Sequence, residues 1–346
     1  MDNPLKDFTS NFSRELQQAH ANQKTSLEFI RHTLSIPAHN SFDHIQAITI
    51  GGTFYNTAVV SPGTYELSHQ QHGSFQILSS AQTFLSLMER LIRPEETSIA
   101  VNFAYPLKPV TENGTLDGVL LNGSKEHTFN GLVGKQVGKT IQDYMWEKRK
   151  QKLRVSVAND TICLLLSGLT KYPWNQIAAG IVGTGMNFAI FEDEYTAVNL
   201  ESGSFDKFEQ SEEGKIIDAQ SAEPGTALFE KEVSGAYLYK QFNLKAEKEG
   251  ISTRIADTSE LDTLAKTQHI ARDVLDHSAH LIASQIAGIL EYHKRSITFV
   301  MQGSLFWKGY NYKNTVDTAV KKLTNYSANY IEIDHADLLG AAKLVM

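Results

Sequence analysis

One cysteine, Cys163, stands among the 346 residues, so no disulfide can form within the chain, and a reducing compartment suits it. No apolar run approaches the roughly 20 residues that cross a bilayer. The first residues, MDNPLKDFTSNF, lack the basic segment and apolar stretch of a secretion signal. The expected setting is therefore the cytoplasm, with no membrane partner. Positive charge is scarce as well. A net charge of −7 argues against general nucleic-acid binding, which draws its affinity from basic surface. The one dense basic run is KRKQKLR, Lys148 to Arg154. It falls where a helix carrying Ile141, Tyr144 and Met145 gives way to a strand, and its cations suit a helix C-terminus. Neither the Gly-x-x-x-x-Gly-Lys phosphate loop nor the Gly-x-Gly-x-x-Gly fingerprint occurs, which leaves the two common nucleotide folds unsupported. Internal repeats and low-complexity tracts are absent too.

What is there suits a globular protein of roughly two domains, with 41% hydrophobic and 21% charged residues. Residues 5 to 33 read as helix, with Phe8, Phe12, Leu16, Leu27 and Ile30 spaced for one apolar face. AITI (47–50), residues 57 to 60, FQIL (75–78) and SIAVNFAY (98–105) read as strands, and residues 81 to 92 as a helix. Asn113-Gly114 and Asn122-Gly123 are turn signals. VSVA (155–158) and IVGTGMNFAIF (181–191) open the second half as strands. Residues 261 to 295 are helical in pattern, ending before the strand SITFVM (296–301). Strands bearing glycine turns alternate with helices in both halves, the pattern of an α/β chain of two lobes with a cleft.

Three glycine turns stand out: GGT (51–53), GTG (183–185) and QGS (302–304). Each follows a β-type run, so its backbone N–H groups can face an anion with no Cβ in the way, or it is simply a structural turn. Asp160 ends the strand VSVA. There a carboxylate can take a proton from a substrate hydroxyl, or cap a helix. Glu201 and Glu230 lie near further turns or helix starts, where such residues are commonly solvated or capping. Carboxylates and amides gathered at one cleft suit a polyol, whose hydroxyls need both donors and acceptors. His277 and His280 share a helix face but have no third ligand nearby. Cys163 opens an apolar run and reads as a core residue.

Taken in order, these pieces resemble the hexokinase family of actin-like, ribonuclease H-like sugar kinases, and within it the eukaryotic-type hexokinases. The resemblance runs from about Ile36 to the C-terminus. AITIGGTFYN is similar to the first phosphate loop, and FAYP (103–106) to the segment after it. NGSKEHTFNGLVGKQV (122–137) is similar to the stretch that touches the hexose, and VSVANDT (155–161) to the segment holding the catalytic aspartate. IVGTGMN (181–187) resembles the second phosphate loop, and NLESG (199–203) the glutamate segment. EPGTALFEKEVSGAYL (223–238) resembles a helix start of the family, FVMQGSLF (299–306) its adenosine loop and DHADLLGAAKLV (334–345) its closing helix.

The resemblance implies a two-lobed actin-like fold and transfer of the γ-phosphoryl of ATP, with Mg2+, to the 6-hydroxyl of a hexose, glucose being the expected one. Asp160 would be the general base. Ser124, Lys125, Asn159, Asn187, Glu201 and Glu230 would bind sugar hydroxyls. Gly51, Gly52, Thr53, Gly183, Thr184, Gly185, Gly303 and Ser304 would line the nucleotide. The small lobe would span 43–160, closed by a helix over 337–346. The large lobe would span 161–336, with the N-terminal helical segment 1–42 packed on it. No residue is assigned to the metal.

The chain departs from the family where phosphate and metal are handled. Thr49 stands in the place of an aspartate that reaches the metal through water, and Asn56 in that of an arginine near the phosphates. Ala104 replaces a serine, and Gln302 an aspartate. The sugar side is nearly intact, with Ser124 in the family's threonine place, and so is the base. A catalytically weak sugar-binding sensor or regulator of the same fold is therefore the second expectation.

Overall fold

The stretch IQAITI, Ile45–Ile50, is buried along its whole length, as expected of a strand covered on both faces. The computed structural model describes residues 4–34, 44–124 and 126–346. The chain opens with α1 (Pro4–His20), β1 (Ile30–Thr33), β2 (Ile45–Ile50), β3 (Phe54–Val60) and β4 (Leu67–Ser74). There follow α2 (Ala81–Leu91), β5 (Ser98–Phe103), β6 (Leu107–Glu112), β7 (Thr115–Leu120), α3 (Val137–Arg149), β8 (Arg154–Ala158) and α4 (Asp160–Ser167). Next are β9 (Ile177–Val182), β10 (Met186–Asp193), β11 (Thr196–Asn199), α5 (Glu212–Ala219), α6 (Leu228–Val233), α7 (Gly235–Lys248) and α8 (Ser259–Leu264). The chain closes with α9 (His269–His293), β12 (Ile297–Gln302), α10 (Ser304–Lys308), α11 (Tyr312–Leu323), β13 (Ala328–Ile331) and α12 (Ala336–Ala342).

Two compact units result. One holds residues 1–29, 180–188 and 200–331, and the other 30–179, 189–199 and 332–346. The chain passes between them within β9 and within β10.

The unit containing β2 is built on a five-stranded sheet of order β4-β3-β2-β5-β8. β2, β5 and β8 pair in parallel, while β3 pairs antiparallel with both β2 and β4. Side chains alternate across a strand with period two. Ile48, Ile50, Val101, Phe103 and Val157 accordingly face a core with Phe84 and Met88 of α2 and Ile141 of α3. The opposite face carries Ala47, Thr49, Ala100, Asn102, Ser156 and Ala158, and there α12 packs on β2, β3 and β5. Those small side chains admit the helix. α12 also meets α4 so closely that a Cβ on Gly340 would lie 1.7 Å from the Cys163 carbonyl oxygen. The hairpin β6–β7 turns at Asn113-Gly114, both in left-handed backbone.

In the other unit, Phe8, Phe12 and Leu16 of α1 are buried, and α1 packs on α9. Phe8 also meets the rings of Phe205, Phe208 and Phe229. β12 and β13 pair in parallel.

Four local expectations are corrected. The helix expected over 5 to 33 ends at His20, where Asn22 takes left-handed backbone, and Ile30–Thr33 is a strand paired with β11. Most of the expected segment 1–42 that follows β1 lies outside the described residues. FQIL (75–78) is not a strand: its backbone bonds to loop partners, with Phe75 N–H on the Thr53 carbonyl at 3.1 Å and Leu78 N–H on His127 Nδ1 at 2.7 Å. The strand lies earlier, at Leu67–Ser74, whose polar sequence suits an exposed sheet edge. Residues 261 to 295 divide into α8 and α9, and the helix expected over 337–346 is Ala336–Ala342.

Candidate functional site

Asp160 begins α4 directly after β8. Asn159 caps the helix, its Oδ1 accepting from the Ile162 N–H at 3.0 Å. This half-exposed cap holds the aspartate at the strand end. Asp160 Oδ1 accepts from its neighbour's N–H, Thr161, at 2.8 Å. Oδ2 makes no hydrogen bond among the described residues.

One rung of the five-stranded sheet leads to this aspartate. His72, Asn56, Thr49, Asn102 and Ala158 are register partners across β4, β3, β2, β5 and β8 in turn. Asp337, in the first turn of α12, lies over the rung. Its Oδ2 accepts from Asn56 Nδ2 at 2.9 Å, and its carbonyl from Asn102 Nδ2 at 3.5 Å. Because the Asn56 oxygen remains an acceptor, His72 Nδ1 carries the proton it donates there, at 2.5 Å. Thr49 is 5% and Asn102 2% exposed, yet Thr49 Oγ1 and Asn102 Oδ1 have no partner among the described residues. Buried polar atoms are normally satisfied, so two orphans on one rung call for a ligand, a water or a cation.

The first glycine turn joins β2 to β3 as a tight hairpin, with Gly51 N–H on the Phe54 carbonyl at 2.9 Å. Tyr105 Oη donates to the Gly51 carbonyl at 2.7 Å. His127 Nδ1 accepts the Leu78 N–H, so its proton sits on Nε2 and is donated to the Gly52 carbonyl. His127 thereby ties the stretch 122–130 to the turn. Ser124 is in that stretch, its carbonyl accepting the His127 N–H at 2.9 Å. Lys125 lies outside the described residues. The Gly51 face is occupied: a Cβ there would lie 2.8 Å from the Phe54 ring.

In the other unit the second and third glycine turns touch. A Cβ on Gly303, at φ +116°, would lie 2.1 Å from the Val182 carbonyl oxygen, and Gly183 meets Gly303 backbone. The start of α7 joins them. Gly235 N–H reaches the Gly183 carbonyl at 2.7 Å, and Ala236 N–H the Thr184 carbonyl at 3.0 Å. Ser304 opens α10 immediately after Gly303. The N–H groups of Gly52, Thr53, Thr184 and Gly185 make no hydrogen bond within the described residues, which leaves donors for phosphate oxygens.

Asn187, Glu201 and Glu230 gather in the same unit. Asn187 Oδ1 accepts from the Ser202 N–H at 3.1 Å, and Glu230 Oε2 from the Met186 N–H at 3.2 Å. Gly203 packs on Glu230, where a Cβ would lie 3.1 Å from the glutamate's own. Burial pushes the Glu230 carboxyl above the usual range. Glu201 takes left-handed backbone, at φ 46°, a conformation that a non-glycine residue holds at some expense in strain.

The remaining candidates settle into the structure. His277 Nε2 meets buried Glu232 at 2.8 Å, and no group of three His, Cys, Asp or Glu side chains fit for a metal occurs among the described residues. Cys163 is buried, which raises its thiol pKa. Sequence reasoning missed Asp337, Phe54, His127 and Tyr105 as parts of the site. All four lie within motifs that the sequence singles out, but only tertiary contact gives them partners.

The family described as Hexokinase matches residues 177–244 and 239–346. The hexokinase of Schistosoma mansoni is 27% identical over 256 residues, covering 64% of this chain and 55% of that protein. The chain spans between 30% and 55% of the first curated relatives it matches. A hexokinase crystal structure superposes with a TM-score of 0.82 at 20% identity, covering 99% of this chain and 95% of that one. The Schistosoma mansoni hexokinase complexed with glucose gives 0.74 at 20% identity, over 99% and 94%. The chain therefore has the two-lobed actin-like fold of these sugar kinases. The matches in sequence assign it to the hexokinase family. No helix among the described residues is long and apolar enough to cross a membrane.

Proposed function

We propose that the protein is a sugar kinase of the hexokinase type, moving the γ-phosphoryl of ATP to the 6-hydroxyl of a hexose, glucose first among candidates. The observation that carries this reading is Asp160: half-exposed at the end of β8, held by a capped helix, with Oδ2 unengaged among the described residues. Asp160 would take the proton from the hydroxyl as that oxygen bonds to phosphorus and the bond to the β-phosphate breaks. Mg-ATP, when bound, supplies the transferred group and the charge neutralisation. Gly51, Gly52 and Thr53 in one unit, and Gly183, Thr184, Gly185, Gly303 and Ser304 in the other, would hold the nucleotide. Ser124, Lys125 and Asn159, with Asn187, Glu201 and Glu230, would bind sugar hydroxyls. Transfer of this kind asks mainly for positioning, which fits the tethering of the first turn by Tyr105 and His127. The two compact units would be the small and large lobes of such a kinase. A cytoplasmic setting accords with the single buried cysteine.

A second reading has its own observation: the uncharged pair Thr49 and Asn56, with the Phe54 ring over Gly51. It makes the protein a sugar-binding sensor that does not turn over. Sugar-dependent ADP release with glucose, mannose and fructose as acceptors separates the two. Release above the sugar-free background supports the kinase. Saturable sugar binding without release supports the sensor.

A further inference from the structure

The rung Asn56–Thr49–Asn102 sets an acid on α12 beside buried polar groups without partners among the described residues. Thr49 Oγ1 and Asn102 Oδ1 are buried and, among the described residues, unpartnered. Both residues lie on the sheet face covered by α12, the face from which Asn56 and Asn102 reach Asp337. Asp337 uses one carboxylate oxygen to accept from Asn56, and the other has no partner among the described residues. The rung ends at Ala158, two residues before Asp160. The thiol of Cys163 is raised first by burial and then by the charges of Asp160 and Asp337, so both carboxylates act on the same turn of α4.

We propose that Asp337 supplies, from α12, the carboxylate that holds the water shell of the nucleotide's divalent cation, with Thr49 and Asn102 completing that shell. The inference rests on the phosphotransferase reading. A magnesium ion keeps several waters and takes one or two protein carboxylates, the rest of its ligands coming from phosphates. The threonine hydroxyl and the asparagine oxygen are ligands for such waters rather than for the ion. Asn56 has a part in the same arrangement. Its amide holds Asp337 in place and leaves one carboxylate oxygen open, whereas an arginine there would form an ion pair with it.

The test measures binding of a non-hydrolysable ATP analogue by calorimetry, with Mg2+ or with EDTA, to the full chain and its variants. Asp337→Asn should weaken binding in Mg2+ by roughly 10- to 100-fold, the range for losing a carboxylate outside the inner ligand sphere. In EDTA the same variant should bind as tightly as the unmodified protein or more tightly, because one negative charge near the phosphates is gone. Thr49→Asp combined with Asp337→Asn should restore most of the Mg2+-dependent affinity by returning the acid to the rung. Equal Mg2+ dependence in Asp337→Asn and the unmodified protein overturns the inference and leaves the kinase reading intact. So does a loss of equal size in EDTA, which a merely structural role would give, or failure of the double variant to recover. Absence of analogue binding by the unmodified protein in both conditions overturns the inference and the kinase reading together.

Discussion

Asn56 joins two elements far apart in sequence: its Nδ2 donates to Asp337 on α12 at 2.9 Å while its Oδ1 accepts from the His72 ring on β4. An arginine could not serve both, since it has no acceptor. The residue that departs from the family pattern is therefore integrated into the sheet and its covering helix.

Asn56→Ala removes both bonds. The bond to a carboxylate is worth about 1.5–3 kcal/mol, reduced here by partial exposure. The expected result is a melting temperature lower by a few degrees, with α12 amides exchanging faster with solvent. Unchanged exchange in α12 would mean that Asn56 does not hold the helix.

Gly303→Ala tests the contact between the second and third glycine turns. A Cβ would meet the Val182 carbonyl oxygen at 2.1 Å in a backbone conformation, φ +116°, that side chains avoid. The variant should lose at least about 2 kcal/mol of stability, by strain and displaced backbone. Unfolding by urea measures it. A loss below about 0.5 kcal/mol, typical of a neutral surface change, would contradict the packing.

Acid should unfold the protein partly through His32. Burial holds its imidazole down to about 4, from 6.5. A depressed value means that the unfolded chain binds the proton more readily. The stabilising effect is thus complete above 6.5 and is lost as pH falls from there through 4. At about 1.4 kcal/mol per unit, the change is of the order of 3 kcal/mol. His32→Asn should flatten the fall in stability between pH 7 and pH 4, and an unaltered slope would refute the assignment.

Glu230 behaves in the opposite sense. Its carboxyl is raised, first by burial, so its contribution is favourable below the ordinary carboxylate range and is lost as pH rises through the folded value. Glu230→Gln keeps an acceptor for the Met186 N–H. The variant should melt higher than the parent at pH 7, by an amount that vanishes in acid, while binding glucose more weakly. A lower melting temperature at pH 7 would show that the charge is stabilised by something other than the groups described.

The elements that sequence made legible were those with strong local signals. β2, β5 and β8 announce themselves as β-branched runs, and the Asn113-Gly114 turn by its residue types. The edge strand Leu67–Ser74 carries no such signal, because an exposed edge needs no apolar alternation, and FQIL drew attention away from it. The end of α1 was hidden by Leu27 and Ile30, which continue the apolar spacing but belong to a loop and a strand. The place of Asp160, just past a strand end, was legible from the run VSVA before it. Asp337 was not, because its partners, Asn56 and Asn102, lie more than two hundred residues away in sequence, and only the packing of α12 on the sheet brings them together.

The most direct test follows phosphorus NMR of the protein mixed with glucose and Mg-ATP, beside the Asp160→Ala variant. A sugar phosphomonoester signal should grow with the parent and be slowed at least about 100-fold in the variant, which still binds glucose. A signal that grows equally in both would contradict Asp160 as the base. Absence of the signal in the parent, with glucose bound, would contradict the kinase itself.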